Sequence, residues 1–209
     1  MYTILLADDH CVIRSALNIL IKDLYPDVDI HEASNGDEVT AKLKNERFDM
    51  VIMDIRMPGP DALNLVEFIR IRYKETKILI FSISPEEVYA NRFLKEGANG
   101  FISKDATLEE LKKAIQIILS GKMYISEKLM ERLAYYSFSN KSSNPFNILS
   151  SREFEVASKI LSGACSNDIA RSLNLSTSTI GTHKARLMEK LKVGNVLQLK
   201  DLANLYQIS

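Results

Sequence analysis

Between Tyr2 and Ser120 the chain passes five times through the same alternation: a short, nearly continuous apolar run, then a stretch whose apolar residues recur at helical spacing. No other feature restricts the fold as strongly. An apolar run without polar alternation has no face to give to water and needs cover on both sides. The runs predict strands at Thr3–Ala7, Asp29–Ala33, Met50–Met53, Lys77–Phe81 and Gly100–Ile102. The intervening periodicity predicts helices at Val12–Leu24, Asp37–Asn45, Asp61–Tyr73, Pro85–Lys95 and Leu108–Leu119. Five such βα units specify an α/β layer architecture with a parallel sheet covered on both faces. Two helix starts carry explicit signatures. Ser84-Pro85-Glu86-Glu87 reads as an N-cap serine, a first-turn proline and a capping-box glutamate, and Thr107-Leu108-Glu109-Glu110 repeats the pattern. Leu108, Leu111, Ile115, Ile118 and Leu119 form one apolar stripe expected to pack on the sheet.

After Gly121 the alternation stops. A helix is expected at Glu127–Tyr136, followed by the polar run Ser137–Asn144, which reads as an interdomain linker. From Pro145 the pattern is helical throughout, near Ser151–Ser162, Asn167–Leu173, Thr177–Leu191 and Val196–Tyr206. The expected organisation is thus an α/β domain over residues 1–121, a linker with one helix over 122–145, and an all-α domain over 146–209. The net charge of zero conceals a division between them. From Pro145 onward eight basic side chains face five acidic ones, a balance of +3, which leaves −3 for residues 1–144. These signs suit an acidic metal pocket in front and an anionic partner behind. Cys11 and Cys165 fall in different domains without a CxxC or His-rich neighbourhood, so neither a disulfide framework nor a zinc site is expected. No basic-then-apolar leader precedes Tyr2, and no apolar stretch approaches the roughly 20 residues needed to span a bilayer. A cytoplasmic location is expected.

In an open α/β sheet, functional groups converge at the carboxyl ends of the strands. There the first strand ends in Asp8-Asp9, the third in Asp54, the fourth in Ser82 and the fifth in Ser103-Lys104. Three gathered carboxylates raise one another's pKa unless a cation compensates them. A hard divalent ion with oxygen ligands, Mg²⁺ above all, meets that need and keeps waters free for phosphate oxygens. A carboxylate is a competent nucleophile toward a phosphoryl group when metal and ammonium neutralise the equatorial oxygens. Lys104 is placed to be that ammonium, Ser82 to donate a hydrogen bond to the same group, and Phe101 to swing inward with Ser82. The stretches Leu5–His10, Val51–Gly59 and Gly97–Lys104 together resemble the receiver domain of two-component response regulators, over roughly residues 1–120. The resemblance implies a flavodoxin-like (βα)5 sheet of order 2-1-3-4-5 and Asp54 as phosphoacceptor. It also implies Mg²⁺ held by Asp8, Asp9, Asp54 and the Arg56 carbonyl, Ser82 and Lys104 as phosphate sensors, and Phe101 as the switch aromatic. Ala62 and Ile83 depart from the family pattern, where glycine and a small residue are usual. The bulk of Ile83 bears on access to the phosphoryl group and hence on the dephosphorylation rate.

In the helical part, Leu149–Glu153 opens with a capping box from Ser150 to Glu153, and Phe154, Ala157, Ile160 and Leu161 recur at core spacing. Gly163 ends that helix. Ser166 is expected to cap a short helix carrying Ile169, Ala170 and Leu173, and Ser176 a longer one after the tight Asn174-Leu175 link. Two helices joined by so short a turn read as helix-turn-helix. At about 100° per residue, Ile180, Leu187 and Leu191 lie together and leave Ser178, Gly181, Thr182, Ala185 and Arg186 on the opposite, groove-reading face. His183 and Lys184 flank the buried stripe and suit packing or phosphate contacts. The helix N-terminus at Ser176–Ser178 suits a DNA phosphate. Ser176, Ser178, Thr179, Gly181, Thr182, His183, Lys184, Ala185, Arg186 and Lys190 are the expected DNA-contacting set.

The stretches Leu149–Val156, Ser166–Ala170 and Ser176–His183 resemble the LuxR-type helix-turn-helix over roughly residues 146–209. With the receiver, they place the chain near the NarL/FixJ class. That resemblance implies a transcription regulator switched by a partner histidine kinase, binding double-stranded promoter DNA as a homodimer joined through the last helix. It is not a dedicated enzyme, although self-catalysed dephosphorylation belongs to such a pocket. Gly181 and Val196 stand where basic residues are common, so the usual operator consensus does not transfer. Glycine inside a helix costs up to ~1 kcal/mol relative to alanine, and this helix is expected to firm up on DNA. A phosphoaspartyl phosphatase would need an acid/base aspartate two residues after Asp54, where Arg56 stands. A phosphorylation-independent module that binds protein through its final helices is the other rival reading.

Overall fold

The computed structural model describes residues 1–131, 144–173, 175–206 and 208, without the side chains of Glu87 and Ser151. The chain divides into two compact units, Met1–Glu131 and Arg132–Ser209. In the first, strands β1 (Thr3–Ala7), β2 (Asp29–Ala33), β3 (Met50–Met53), β4 (Lys77–Ser82) and β5 (Gly100–Ser103) pair in parallel in the order β2-β1-β3-β4-β5. Between and after them lie helices α1 (Cys11–Leu24), α2 (Gly36–Asn45), α3 (Ala62–Arg72), α4 (Glu86–Lys95) and α5 (Leu108–Leu119). The doubly wound α/β fold read from the apolar runs is present. Strand β3 is buried along its whole length, and β1 over all but its first residue, as two-sided cover requires. The edge strand β2 is only partly covered. Ile4, Leu6, Met50, Ile52 and Leu79 pack against Leu17, Leu20 and Ile21 of α1 and Leu111, Ala114, Ile115 and Ile118 of α5. Successive side chains on a strand point to opposite faces, so Leu5, Val51, Met53, Ile78 and Ile80 serve the other layer. There Val39, Leu43, Leu63, Val66, Ile69, Val88 and Phe93 are buried.

Two local expectations are corrected. Helix α4 starts at Glu86 with Pro85 at the N-cap and no side-chain cap. Ser84 does not cap it because its amide donates to Ser82 Oγ at 3.3 Å and its hydroxyl accepts from Arg56 Nε at 3.1 Å. In the α5 stripe Leu108 is exposed, since the first turn of the helix leaves it outside the packed layer, and Ala114 takes a buried place instead. The capping box of Thr107 and Glu110 forms as read. Of the helix expected at Glu127–Tyr136, residues 127–131 are helical, and the remainder, like most of the polar run that follows it, lies outside the described residues.

The second unit holds a short 3-10 turn, Pro145–Ile148, and helices α6 (Ser151–Leu161), α7 (Ser166–Ser172), α8 (Thr177–Leu191) and α9 (Val196–Leu205). The Ser150/Glu153 capping box opens α6. Gly163, at φ +88°, closes it with the paired bonds Gly163 N to Ile160 O and Ala164 N to Lys159 O, the Schellman pattern that favours glycine. Phe154 and Ala157 are buried as expected, but Ile160 and Leu161 are only half-buried, and Val156 is fully buried. The core continues through Phe146, Ile169, Ala170, Leu173, Ile180, Leu187, Leu191, Leu199 and Ala203. Cys165, not Ser166, is the N-cap residue of α7, and it makes no side-chain cap: its thiol lies 2.9 Å from Asp168 Oδ2.

Candidate functional site

Sheet register builds the first site. Ala7 pairs with both Ala33 and Met53, Met53 with Ile80, and Ser82 with Ser103, so neighbouring strands end almost level. One residue further the backbone continues the ladder: Asp54 N donates to Ala7 O at 2.9 Å, Asp8 N to Ala33 O at 3.1 Å, and Lys104 N to Ser82 O at 2.9 Å. Asp8, Asp54, Ser82 and Lys104 are thereby delivered to one place by four strands.

The electrostatics there are unusual for so small a volume. Asp8 and Asp54 are 1% and 3% exposed, and both address one ammonium: Lys104 Nζ lies 2.6 Å from Asp8 Oδ2 and 2.8 Å from Asp54 Oδ2. Burial alone pushes the Asp54 carboxyl up. Hydrogen bonds from Lys104 and Ser82, the Lys104 charge and the Arg56 amide outweigh burial and hold it below the usual carboxylate range. Lys104 is the mirror case: burial lowers it, but its bonds to Asp54 and Asp8 and their charges raise it above an ordinary lysine. Asp54 Oδ1 also accepts the Ile55 amide at 2.7 Å and, more weakly, the Arg56 amide at 3.4 Å. One ammonium between two buried carboxylates leaves an excess negative charge.

Asp9 stands at the rim, with His10 Nδ1 2.8 Å from its Oδ1 and 3.2 Å from Asp8 Oδ1. Asp8, Asp9 and His10 offer ligand atoms within 4.8 Å of one another. The hard oxygen donors and the uncompensated charge fit a divalent cation such as Mg²⁺. Phe101 is buried, its ring 6.2 Å from that of Phe93, while Ile83 points outward into solvent. Reading the sequence overlooked Arg14. Its guanidinium donates to the Asp8 carbonyl at 2.7 Å and to Glu32 Oε2 at 2.8 Å, clamping the Asp8-Asp9 turn to β2. An arginine and a glutamate 18 positions apart leave no periodic trace. The bond from the Arg56 side chain to Ser84, 28 positions apart, escaped notice for the same reason.

The second candidate surface lies on α8. Ile180, Leu187 and Leu191 face the core, and Ser178, Gly181, Thr182, Ala185 and Arg186 are exposed on the opposite face. His183 and Lys184 are half-buried at its flank, and His183 Nδ1 is buried without a hydrogen bond among the described residues. The Thr182 hydroxyl donates back to Ser178 O at 3.1 Å, and a Cβ at Gly181 would meet nothing within 4 Å. The N-terminus is not bare: Ser176 Oγ accepts the Thr179 amide at 3.1 Å and lies 2.8 Å from both Ser178 Oγ and Thr179 Oγ1. Lys190 stands apart from the set. Its Nζ lies 2.7 Å from Glu153 Oε2, tying α8 to α6. Burial pushes the Glu153 carboxyl up, but Lys190 and the Ser150 cap hold it below the usual range.

Comparison with known proteins agrees with this division. Residues 4–116 match the model of the response regulator receiver domain, and residues 147–203 that of the bacterial regulatory proteins of the luxR family. The chain is 30% identical over 204 residues to the response regulator GacA of Pseudomonas viridiflava, covering 97% of this chain and 95% of that one. To the response regulator UvrY of Escherichia coli strain K12 it is 29% identical, covering 97% and 94%. In fold it is similar to RcsB from Salmonella enterica serovar Typhimurium bound to promoter rprA in the presence of phosphomimetic BeF3−. That match has a TM-score of 0.76 at 22% identity and covers 98% of this chain and 99% of that one.

Proposed function

The chain belongs to the response regulators of two-component systems, with a receiver domain followed by a LuxR-type domain, and from that premise we propose that Asp54 is its phosphoacceptor. The donor is a sensor histidine kinase. An Asp54 carboxylate oxygen bonds to phosphorus as the phosphorus–nitrogen bond of the kinase phosphohistidine breaks, and the released imidazole takes up a proton. The observation that carries this reading is the pair of buried carboxylates, Asp8 and Asp54, sharing the Lys104 ammonium. A nucleophile kept ionised by a raised lysine is ready at neutral pH, and the same ammonium then meets the charge of the incoming group. Ser82 is placed to donate to a phosphoryl oxygen. Asp8, Asp9, Asp54 and the Arg56 carbonyl would hold Mg²⁺, which when bound neutralises charge on the transferring oxygens. Loss of the phosphoryl group by hydrolysis belongs to the same pocket, with no dedicated enzymatic role.

The domains of this reading are the receiver at 1–121, a linker at 122–145 and the helix-turn-helix at 146–209. Phosphorylation releases or pairs the helix-turn-helix units, and a homodimer presents two α8 helices to double-stranded promoter DNA in the cytoplasm. The exposed α8 face from Ser178 to Arg186 reads the groove, with Ser176, Thr179, His183 and Lys184 near the phosphates. Among the described residues no helix is long and apolar enough to cross a membrane. The test is incubation of the full chain with acetyl phosphate and Mg²⁺. Mass analysis is expected to find one phosphoryl group on Asp54 and none in Asp54→Ala; label persisting in that variant refutes the assignment.

A further inference from the structure

The β5 edge of the sheet is covered by the chain itself. After α5 the backbone turns at Gly121 and runs beside β5, where Tyr124 forms a parallel bridge with Gly100 and its amide donates to the Asn99 carbonyl at 2.9 Å. Gly100 permits the approach, because a Cβ there would sit 2.7 Å from Ile118 Cδ1 and 3.2 Å from Tyr124 Cβ. Ser126 comes next and does two things. Its hydroxyl donates to Glu86 Oε2 at 2.8 Å and accepts the Leu129 amide at 3.1 Å, so one side chain starts the helical residues 127–131 and ties them to the first residue of α4. Tyr124 and Leu129 of this segment are both buried.

Glu86 lies four residues past Ser82, and the intervening backbone is held to the phosphoacceptor pocket. The Arg56 amide donates to Asp54 Oδ1 at 3.4 Å, its Nε donates to the Ser84 hydroxyl at 3.1 Å, and the Ser84 amide donates to Ser82 Oγ at 3.3 Å. Hydrogen bonds through Arg56 and Ser84, two residues of backbone from Ser84 to Glu86, and the Glu86–Ser126 bond therefore join Asp54 to Ser126. We propose that Glu86 and Ser126 form a latch that docks residues 122–131 onto α4 and β5, and that phosphorylation of Asp54 tightens it. The direction follows from the arrangement observed: the latch is closed while Ser82 is buried with its hydroxyl held by the Ser84 amide and Phe101 is buried. A phosphoryl group that accepts from Ser82 holds that arrangement in place. The latched segment is the start of the connection to the helix-turn-helix, so closing it extends the packed receiver as far as residue 131. The inference rests on Asp54 being the phosphoacceptor, but the latch itself is a feature of the unmodified chain.

Hydrogen exchange of the full chain tests it, on wild type, Glu86→Gln and Ser126→Ala, each with and without beryllium fluoride and Mg²⁺. A charge-assisted side-chain bond is worth about a factor of ten in a local opening equilibrium. Amides of residues 127–131 are expected to exchange about tenfold faster in Ser126→Ala. Glu86→Gln keeps the Ser126 cap on Leu129 and removes only the charge, and is expected to be intermediate. Beryllium fluoride should slow this segment in wild type and leave Ser126→Ala unchanged. Equal exchange in wild type and Glu86→Gln overturns the latch. Slowing at residues 82–86 without slowing at 127–131 overturns the coupling. If beryllium fluoride alters neither region, the phosphoacceptor reading fails and the coupling falls with it, while the Glu86→Gln comparison still decides the docking.

Discussion

The pocket at the strand ends and the outer face of α8 are both functional surfaces, yet they are built in opposite ways. The pocket collects charges from the ends of three strands far apart in sequence, with a buried hydroxyl from a fourth, and balances the charges against one another. The α8 face draws its residues from one helix, leaves them exposed and supports them with a separate buried stripe on the far side. Removing a charge from the first should therefore disturb the fold itself, whereas changing the second should alter affinity and leave the fold intact.

The largest expected effect is on the pocket. Lys104→Met strands two buried carboxylates without their cation, and breaking such a pair from one side costs about 3–5 kcal/mol, measurable by urea unfolding in the absence of metal. Mg²⁺ should restore part of that loss. The pH response should change sign. In wild type the lowered Asp54 contributes stability that is present above the unfolded carboxylate pKa of about 3.9 and is lost as pH falls through the folded value. The raised Lys104 contributes stability present below about 10.4 and lost as pH rises through its folded value. In the variant the two carboxylates repel, so mild acidification should stabilise it. Parallel pH profiles for the two proteins would refute the shared-ammonium account.

Next in size is Arg186→Ala on the α8 face. Operator binding should weaken by about 1–3 kcal/mol if this side chain reaches a base, with the unfolding midpoint unmoved. A change in stability instead would erase the contrast between the two surfaces. Glu153→Gln probes the internal tie of the second unit. Lys190 is partly exposed and the pair is screened, so the expected loss is about 1 kcal/mol. Because the Glu153 carboxyl is held low, that contribution is present above its unfolded pKa and disappears as pH falls through the folded value, so the variant and wild type should converge in acid. The smallest effect sharpens the comparison most. Gly181→Ala fills open space on an exposed helix and should stabilise the second unit by up to ~1 kcal/mol. If the glycine is there for close approach to DNA, the same change should weaken DNA binding, and a variant that gains stability with unchanged affinity removes that role.

Much of the fold was legible because it depends on short-range patterns. The apolar runs, the capping boxes at Thr107 and Ser150, and the buried stripe of α8 each lie within one element and fall where expected. Among the expectations that failed, one was decided by neighbours far along the chain. Ser84 has the sequence of an N-cap but belongs to the Ser82 and Arg56 network. Lys190, one of the expected DNA-contacting set, is bonded to Glu153 of a different helix, a pairing its own stretch of sequence does not announce.

By itself the amino-acid order determined the five βα units and the acidic, hydroxyl and ammonium groups at the strand ends. Those follow from side-chain period and from the location of functional groups at the carboxyl edge of a parallel sheet. Only the tertiary structure decided that Asp8 and Asp54 share one lysine, that Arg14 ties the Asp8-Asp9 turn to Glu32 and that Ser126 closes on Glu86. Each joins residues many positions apart, and which of several polar partners a side chain takes is settled by distance and desolvation in the folded state.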